Sequence, residues 1–223
     1  MIESALAPER IAQGLTYYVV LLFSLSFHEA AHAWTALRLG DDTAARDGRI
    51  TLNPIPHIDP VGTVLVPLMG FVWSGIPLLA WAKPTPVQAA NFRSGWFRRG
   101  QVLTAGAGPL SNLLLALVFT AALFLYTRAG LAPESSLALL ALIETGVLMN
   151  VALAVFNLVP LPPLDGSWIA SHGLPRGLGD AYDRLVEPYG SWLLLLAVAS
   201  GLLAKVTFPV IVSIRSILHT LAS

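Results

Sequence analysis

The chain has 223 residues, 55% of them hydrophobic and only 12% charged, with a mean hydropathy of +0.69. Too few polar side chains are present to coat a water-soluble globule, which excludes that class and marks a polytopic membrane protein. Thirteen Lys plus Arg balance thirteen Asp plus Glu, leaving no basic excess for nucleic-acid binding, and the absence of cysteine excludes disulfides, thiolate zinc clusters and a cysteine nucleophile. Any metal must be held by His, Asp or Glu.

A bilayer core takes about 20 mostly apolar residues per helix. The first such stretch is 11–39. It reads as a retained helix rather than a signal peptide, because Glu3 and Glu9 face a single Arg10 before it and the apolar run continues into charged residues. The stretch 61–80 is apolar enough to cross, but Pro67, Gly70, Gly75 and Pro77 interrupt it and favour a re-entrant or interfacial path. Next come 102–127 and 137–159, and then a long apolar tail, about 189–221, broken near Gly201 and Lys205 and read as a helical pair. The expected fold class is all-α: about five transmembrane helices in one integral-membrane domain over 1–223, with a re-entrant or interfacial segment at 61–80. No internal repeat or linker divides it.

Loop charge sets the expected topology. Loop 38–60 carries Arg38, Arg46 and Arg49, loop 81–101 carries Lys83, Arg93, Arg98 and Arg99, and loop 166–188 carries Arg176 and Arg184. These three loops share one side if 61–80 returns to the side it left. By the positive-inside rule that side is cytoplasmic, with the N-terminus outside. If 61–80 crosses, the first two loops face opposite ways and the bias largely disappears.

His28-Glu29-Ala30-Ala31-His32 lies within the first apolar helix, where every ionisable group is costly. Positions 28 and 32 share one helical face, so both imidazoles can reach one Zn²⁺, and Glu29 is offset to act on a water at the metal. A catalytic zinc takes three protein ligands and an open position. Glu144 in the third span and Asp165 beyond it are the available acids, and Asp165 also suits a helix N-cap. A returning 61–80 makes the first and third spans parallel and brings Asp165 to the histidines. Loop charge and metal chemistry thus favour the same topology.

The HEAAH helix, Gly108-Pro109-Leu110-Ser111-Asn112 and the run NLVPLPPLDG over 157–166 resemble the core elements of the site-2 protease family of intramembrane zinc metalloproteases. Leu52-Asn53-Pro54-Ile55-Pro56-His57-Ile58-Asp59-Pro60 and Ala82-Lys83-Pro84-Thr85-Pro86-Val87 resemble its compact prokaryotic branch without a PDZ domain. The resemblance spans about 15–170, leaving the C-terminal pair unmatched. It implies one Zn²⁺ per chain held by His28, His32 and Asp165, Glu29 as the catalytic glutamate, and Asn112 as a residue that positions or stabilises the scissile carbonyl. It also implies transmembrane protein substrates in a prokaryotic inner (plasma) membrane, with the active site toward the cytoplasm.

A substrate helix must unwind before its peptide bonds are open to attack. Residues 48–52 alternate polar and apolar and 81–87 read as extended, so either can present an edge to an unwound substrate, or the two form a plain interfacial β-hairpin near the active site. His57 and Asp59 suit loop hydrogen bonding better than a second metal. Trp81, Trp96, Trp168 and Trp192 fall near proposed helix ends, where interface anchoring is the default. Glu144 has no assigned role, and oligomeric state is not legible. The rival reading is a divalent-metal transporter, which would spread metal-binding residues along several helices.

Overall fold

The computed structural model describes residues 7–74, 80–129 and 133–222. Helix α1 (Pro8–Leu39) starts with proline in its first turn, where a missing N–H costs nothing, and carries Glu9 at its positive end and Arg38 at its negative end. Gly40, at φ 114°, ends it in the left-handed region. Backbone bonds from Gly40 N–H to Leu37 O (3.1 Å) and from Asp41 N–H to Ala36 O (2.9 Å) close that end. A short helix α2 (Thr43–Arg46) follows. A π-helical turn (Pro60–Leu65) then runs into α3 (Val66–Ser74). The long helices α4 (Phe97–Arg128) and α5 (Pro133–Asn157) come next. The chain ends with the surface helices α6 (Asp165–Gly173) and α7 (Arg176–Leu185) and the apolar helices α8 (Gly190–Ala199) and α9 (Leu202–Ala222).

Four helices among the described residues are long and apolar enough to cross a bilayer: α1, α4, Ser136–Asn157 of α5 and Leu202–Leu221 of α9. The expected count of about five is not reached because the C-terminal pair contains only one spanning helix. Its first member, α8, has ten residues, roughly 15 Å of rise against a core of about 30 Å.

The segment 61–80 ends beside its own beginning. Trp81 N–H donates to Gly62 O (3.2 Å) and Thr63 Oγ1 donates to Trp81 O (2.8 Å), and the Trp81 ring covers Gly62. Between these ends α3 carries Phe71 as far as Gly14 near the start of α1. Gly75 and Pro77 lie outside the described residues. The chain therefore returns to the level at which it entered.

From there, residues 80–93 run alongside α1 toward its C-terminal end. Ala82 packs with Leu21 and Leu25, Thr85 bonds Glu29, and Arg93 N–H donates to Leu39 O at 2.9 Å. Arg98 Nη2 donates to Ser171 O and Leu174 O, both at 2.9 Å. The three basic loops are thus gathered at one end of the bundle.

No strand is present among the described residues, so the expected hairpin is replaced by isolated contacts. Arg49 N–H turns back onto Ala44 O at 2.9 Å, and Lys83 N–H to His57 O (2.8 Å) is a lone backbone bond rather than one rung of a ladder. Apolar packing holds the long helices together: Ala116 of α4, Val147 and Val151 of α5 and Leu218 of α9 form one buried cluster.

Candidate metal centre

Three elements distant in sequence meet at one point. His28 and His32, one turn apart on α1, present their Nε2 atoms to the Asp165 carboxylate, at 3.1 Å to Oδ2 and 3.4 Å to Oδ1. One donor atom from each residue lies within 4.8 Å of the others. The prolines at 160, 162 and 163 end α5 and send the chain around a corner. Asp165 then stands in the first turn of α6, with Leu164 in the capping position, so its carboxylate faces the histidines instead of capping the helix.

Helix α4 forms the wall behind the two imidazoles. A methyl group at position 108 would strike Nε2 of both histidines, so glycine there lets the backbone approach them. Each ring is fixed from its far side. His32 Nδ1 lies 2.7 Å from Thr104 O; a carbonyl only accepts, so Nδ1 carries a proton and, in the neutral ring, Nε2 presents its lone pair. His28 Nδ1 lies 2.6 Å from Asn112 Oδ1, with the same consequence.

With both rings neutral, two lone pairs and a carboxylate face one another and repel unless a metal ion or a shared proton sits among them. Asp165 Oδ2 is buried and has no hydrogen-bond partner. Two neutral imidazoles and one carboxylate are a donor set suited to a catalytic zinc with a position left open. The residues fit the metal.

Glu29 is buried beside this set, and its Oε2 accepts from Thr85 N–H at 2.8 Å. Arg49 approaches the same oxygen at 3.9 Å and donates to Lys83 O. It is only 3% exposed, which makes it part of the site and not one of the surface charges that mark loop orientation. Burial lowers its pKa from the usual value while Glu29 and Asp47 oppose the shift, and a guanidinium stays charged through such changes.

The chain is 37% identical over 201 residues to YwhC of Bacillus subtilis, a match covering 86% of the chain and 84% of YwhC. The chain belongs to the site-2 protease family. It is also 32% identical over 178 residues to Rip2 of Mycolicibacterium smegmatis (79% of the chain, 62% of that protein) and 33% identical over 148 residues to Rip2 of Mycobacterium tuberculosis (65% and 52%). The chain thus spans less than two thirds of either Rip2. All three relatives carry the name "putative zinc metalloprotease". No family model and no solved structure matches the chain.

In this site-2 protease family member, His28, His32 and Asp165 come together as the spacing and the resemblance suggest, with Glu29 beside them. Asn112, expected to position or stabilise the scissile carbonyl, contacts the histidine pair from behind. It lies fully buried behind His28, with Oδ1 on that ring and Nδ2 directed to Asn150 Oδ1 at 3.0 Å and Ser24 O at 3.4 Å. Both of its polar atoms are occupied.

Among the described residues Glu144 joins no group of metal donors. His57 Nε2 bonds Thr51 O (2.9 Å), and Asp59 accepts from Val61 N–H and Gly62 N–H at the start of the π-helical turn. Both serve the loop.

Sequence reading gave no site role to Arg49, Thr85, Thr104 or Asp41. Asp41 is fully buried and accepts from Thr43 Oγ1 (2.5 Å), Gln88 N–H (2.7 Å), Asn91 Nδ2 (2.9 Å) and Thr43 N–H (3.1 Å), tying the segment past Thr85 to the end of α1. Burying a carboxylate costs several kcal/mol, which four charge-assisted bonds of about 1.5–3 kcal/mol each offset. In the sequence Asp41 stands in Gly40-Asp41-Asp42 and looks like part of a solvated turn. Only Arg49 carried a local hint, as a charge inside an alternating apolar stretch.

Proposed function

We propose that this chain hydrolyses peptide bonds within or next to transmembrane segments of membrane-protein substrates, with one Zn²⁺ per chain held by His28, His32 and Asp165. The observation that carries this reading is the convergence of two oriented imidazole Nε2 atoms and a buried carboxylate beside Glu29, inside a bundle of membrane-length helices. Zinc bound there supplies Lewis acidity and lowers the pKa of water toward about 7. Glu29 takes the proton of the attacking water and returns it to the leaving amine. Thr85 N–H donates to its carboxylate and Arg49 approaches the same oxygen, which keeps a flexible side chain in one orientation.

An open groove of about 400 Å³ runs between Ala30 and Ala31 of α1, Ile50 to Leu52, and Ser111 of α4. Its apolar walls, completed by Phe27 and Trp34 of α1, suit an unwound transmembrane segment laid along 50–52. Strand addition along 48–52 is part of this reading. A proline at position 50 or 52 is expected to slow cleavage without releasing zinc, and unchanged turnover would reject the edge. The basic loops gathered at this end support a cytoplasmic orientation in a prokaryotic inner membrane by the positive-inside rule.

Metal transport is the competing reading. Among the described residues only one group of three metal-donor side chains is found, which favours catalysis over a conduction path. The test is zinc content together with cleavage of a panel of single-span membrane proteins by wild type, Glu29→Gln and Asp165→Asn. Loss of cleavage in both, with zinc kept in the first and reduced in the second, is expected. Zinc uptake into proteoliposomes without cleavage of any substrate would overturn the protease reading.

A further inference from the structure

Behind His28 the hydrogen bonds form a chain whose direction is set at its far end. Gly146 O on α5 is a backbone carbonyl and only accepts, so the Asn150 atom 2.9 Å from it is the amide nitrogen. Asn150 Oδ1 therefore points the other way and accepts from Asn112 Nδ2 at 3.0 Å. That leaves Asn112 Oδ1 to accept from His28 Nδ1 at 2.6 Å, and Nε2 free to bind metal. Ser24 O, 3.4 Å from Asn112 Nδ2, reinforces the same orientation. Asn112 and Asn150 are both fully buried, so no water competes for these bonds.

We infer that Asn150 is a positioning residue for the metal centre: acting through Asn112, it fixes the tautomer and ring orientation of His28. This rests on the zinc reading above. His32 receives the same service from Thr104 O, a backbone atom that needs no relay. The His28 arm alone depends on two side chains, and Asn150, through the shorter of the two bonds that Asn112 Nδ2 makes, is the main restraint that stops Asn112 from turning its nitrogen toward the ring.

Zinc affinity of the purified full chain, measured by chelator competition without substrate, tests this. Removing a group that orients a ligating histidine typically weakens metal binding by about 10–100-fold. Asn150→Ala is expected to weaken zinc by about tenfold in the wild-type background and to have no further effect in Asn112→Ala, because the relay is already cut. Asn150→Asp is expected to retain affinity. Burial favours its neutral carboxyl, which both donates to Gly146 O and accepts from Asn112. It also keeps the test decisive if the alanine variant does not fold.

Equal losses from Asn150→Ala in both backgrounds would overturn the relay in favour of a packing role, as would unchanged affinity in the single variant or loss of affinity in a folded Asn150→Asp. Absence of zinc binding in the wild type would instead overturn the metal reading itself.

Discussion

Helices α1, α4 and α5 bury Ser24, His28, Glu29, His32, Thr104, Asn112 and Asn150 between them, whereas α8 turns Trp192, Leu195 and Leu196 outward at 73%, 58% and 65% exposure. Lipid is as apolar as leucine, so α8 loses nothing by exposing such side chains. The first three helices are under the opposite constraint. Of the polar groups they carry at depth, His28, His32, Asn112 and Asn150 are joined across neighbouring helices, and Glu29 is joined to Thr85 of the segment between them. Polar satisfaction therefore specifies how α1, α4 and α5 meet, and the metal centre lies where it is densest.

The sharpest separation of the two regions is expected from Glu29→Gln. Cleavage should fall by about 10²–10⁴-fold, the usual worth of a general base, while zinc content is unchanged; measurable activity near wild type would remove Glu29 from its role. Asp165→Asn should weaken zinc by more than the roughly 10–100-fold typical of residues behind the ligands, as read by chelator competition. Wild-type affinity would show that the carboxylate is not a ligand.

Arg49→Ala is expected to lower kcat by about tenfold, a modest share of what misplacing a reacting group costs, with zinc retained and with Arg49→Lys recovering part of the loss. If KM changes and kcat does not, Arg49 serves substrate binding rather than Glu29.

The Asp41 latch gives a pH-dependent effect. Burial works to raise its pKa, but hydrogen bonds from Thr43, Asn91 and Gln88 outweigh it and hold the carboxyl below its ordinary value. The folded form thus binds its proton less readily than the unfolded one. The latch contributes fully above the ordinary carboxylate range and is lost as pH falls through the lowered folded value. Amide exchange in 88–93 should accelerate on acidification while α4 stays protected, and Asp41→Asn should abolish that pH dependence.

The smallest effect belongs to the lipid-facing region: Trp192→Ala on α8 should leave zinc affinity and cleavage within about twofold, since lone surface changes away from packed or polar features are nearly neutral. A loss comparable to that at Arg49 would erase the distinction between the two regions.

Membrane class, the three long spans of the core and the candidate ligand pair His28 and His32 with Glu29 between them are written locally, in apolar runs and in a spacing of four on one helix. Asp165 and the return of 61–80 follow from one further step, because proline placement and loop charge constrain which ends of the helices can meet. The sequence does not disclose that α8 is too short to span, that 48–52 forms no ladder, or that Arg49 leaves the surface to lie beside Glu29.

Nor does it disclose the partners of the ligands: Thr104 O, Asn112, Asn150 and the glycine wall at Gly108. His28 and Asn112 are 84 positions apart, and Asn112 and Asn150 are 38 apart. A hydrogen bond has direction and a reach of about 3 Å, so which amide faces which ring is decided only when three helices have packed at a definite rotation and depth.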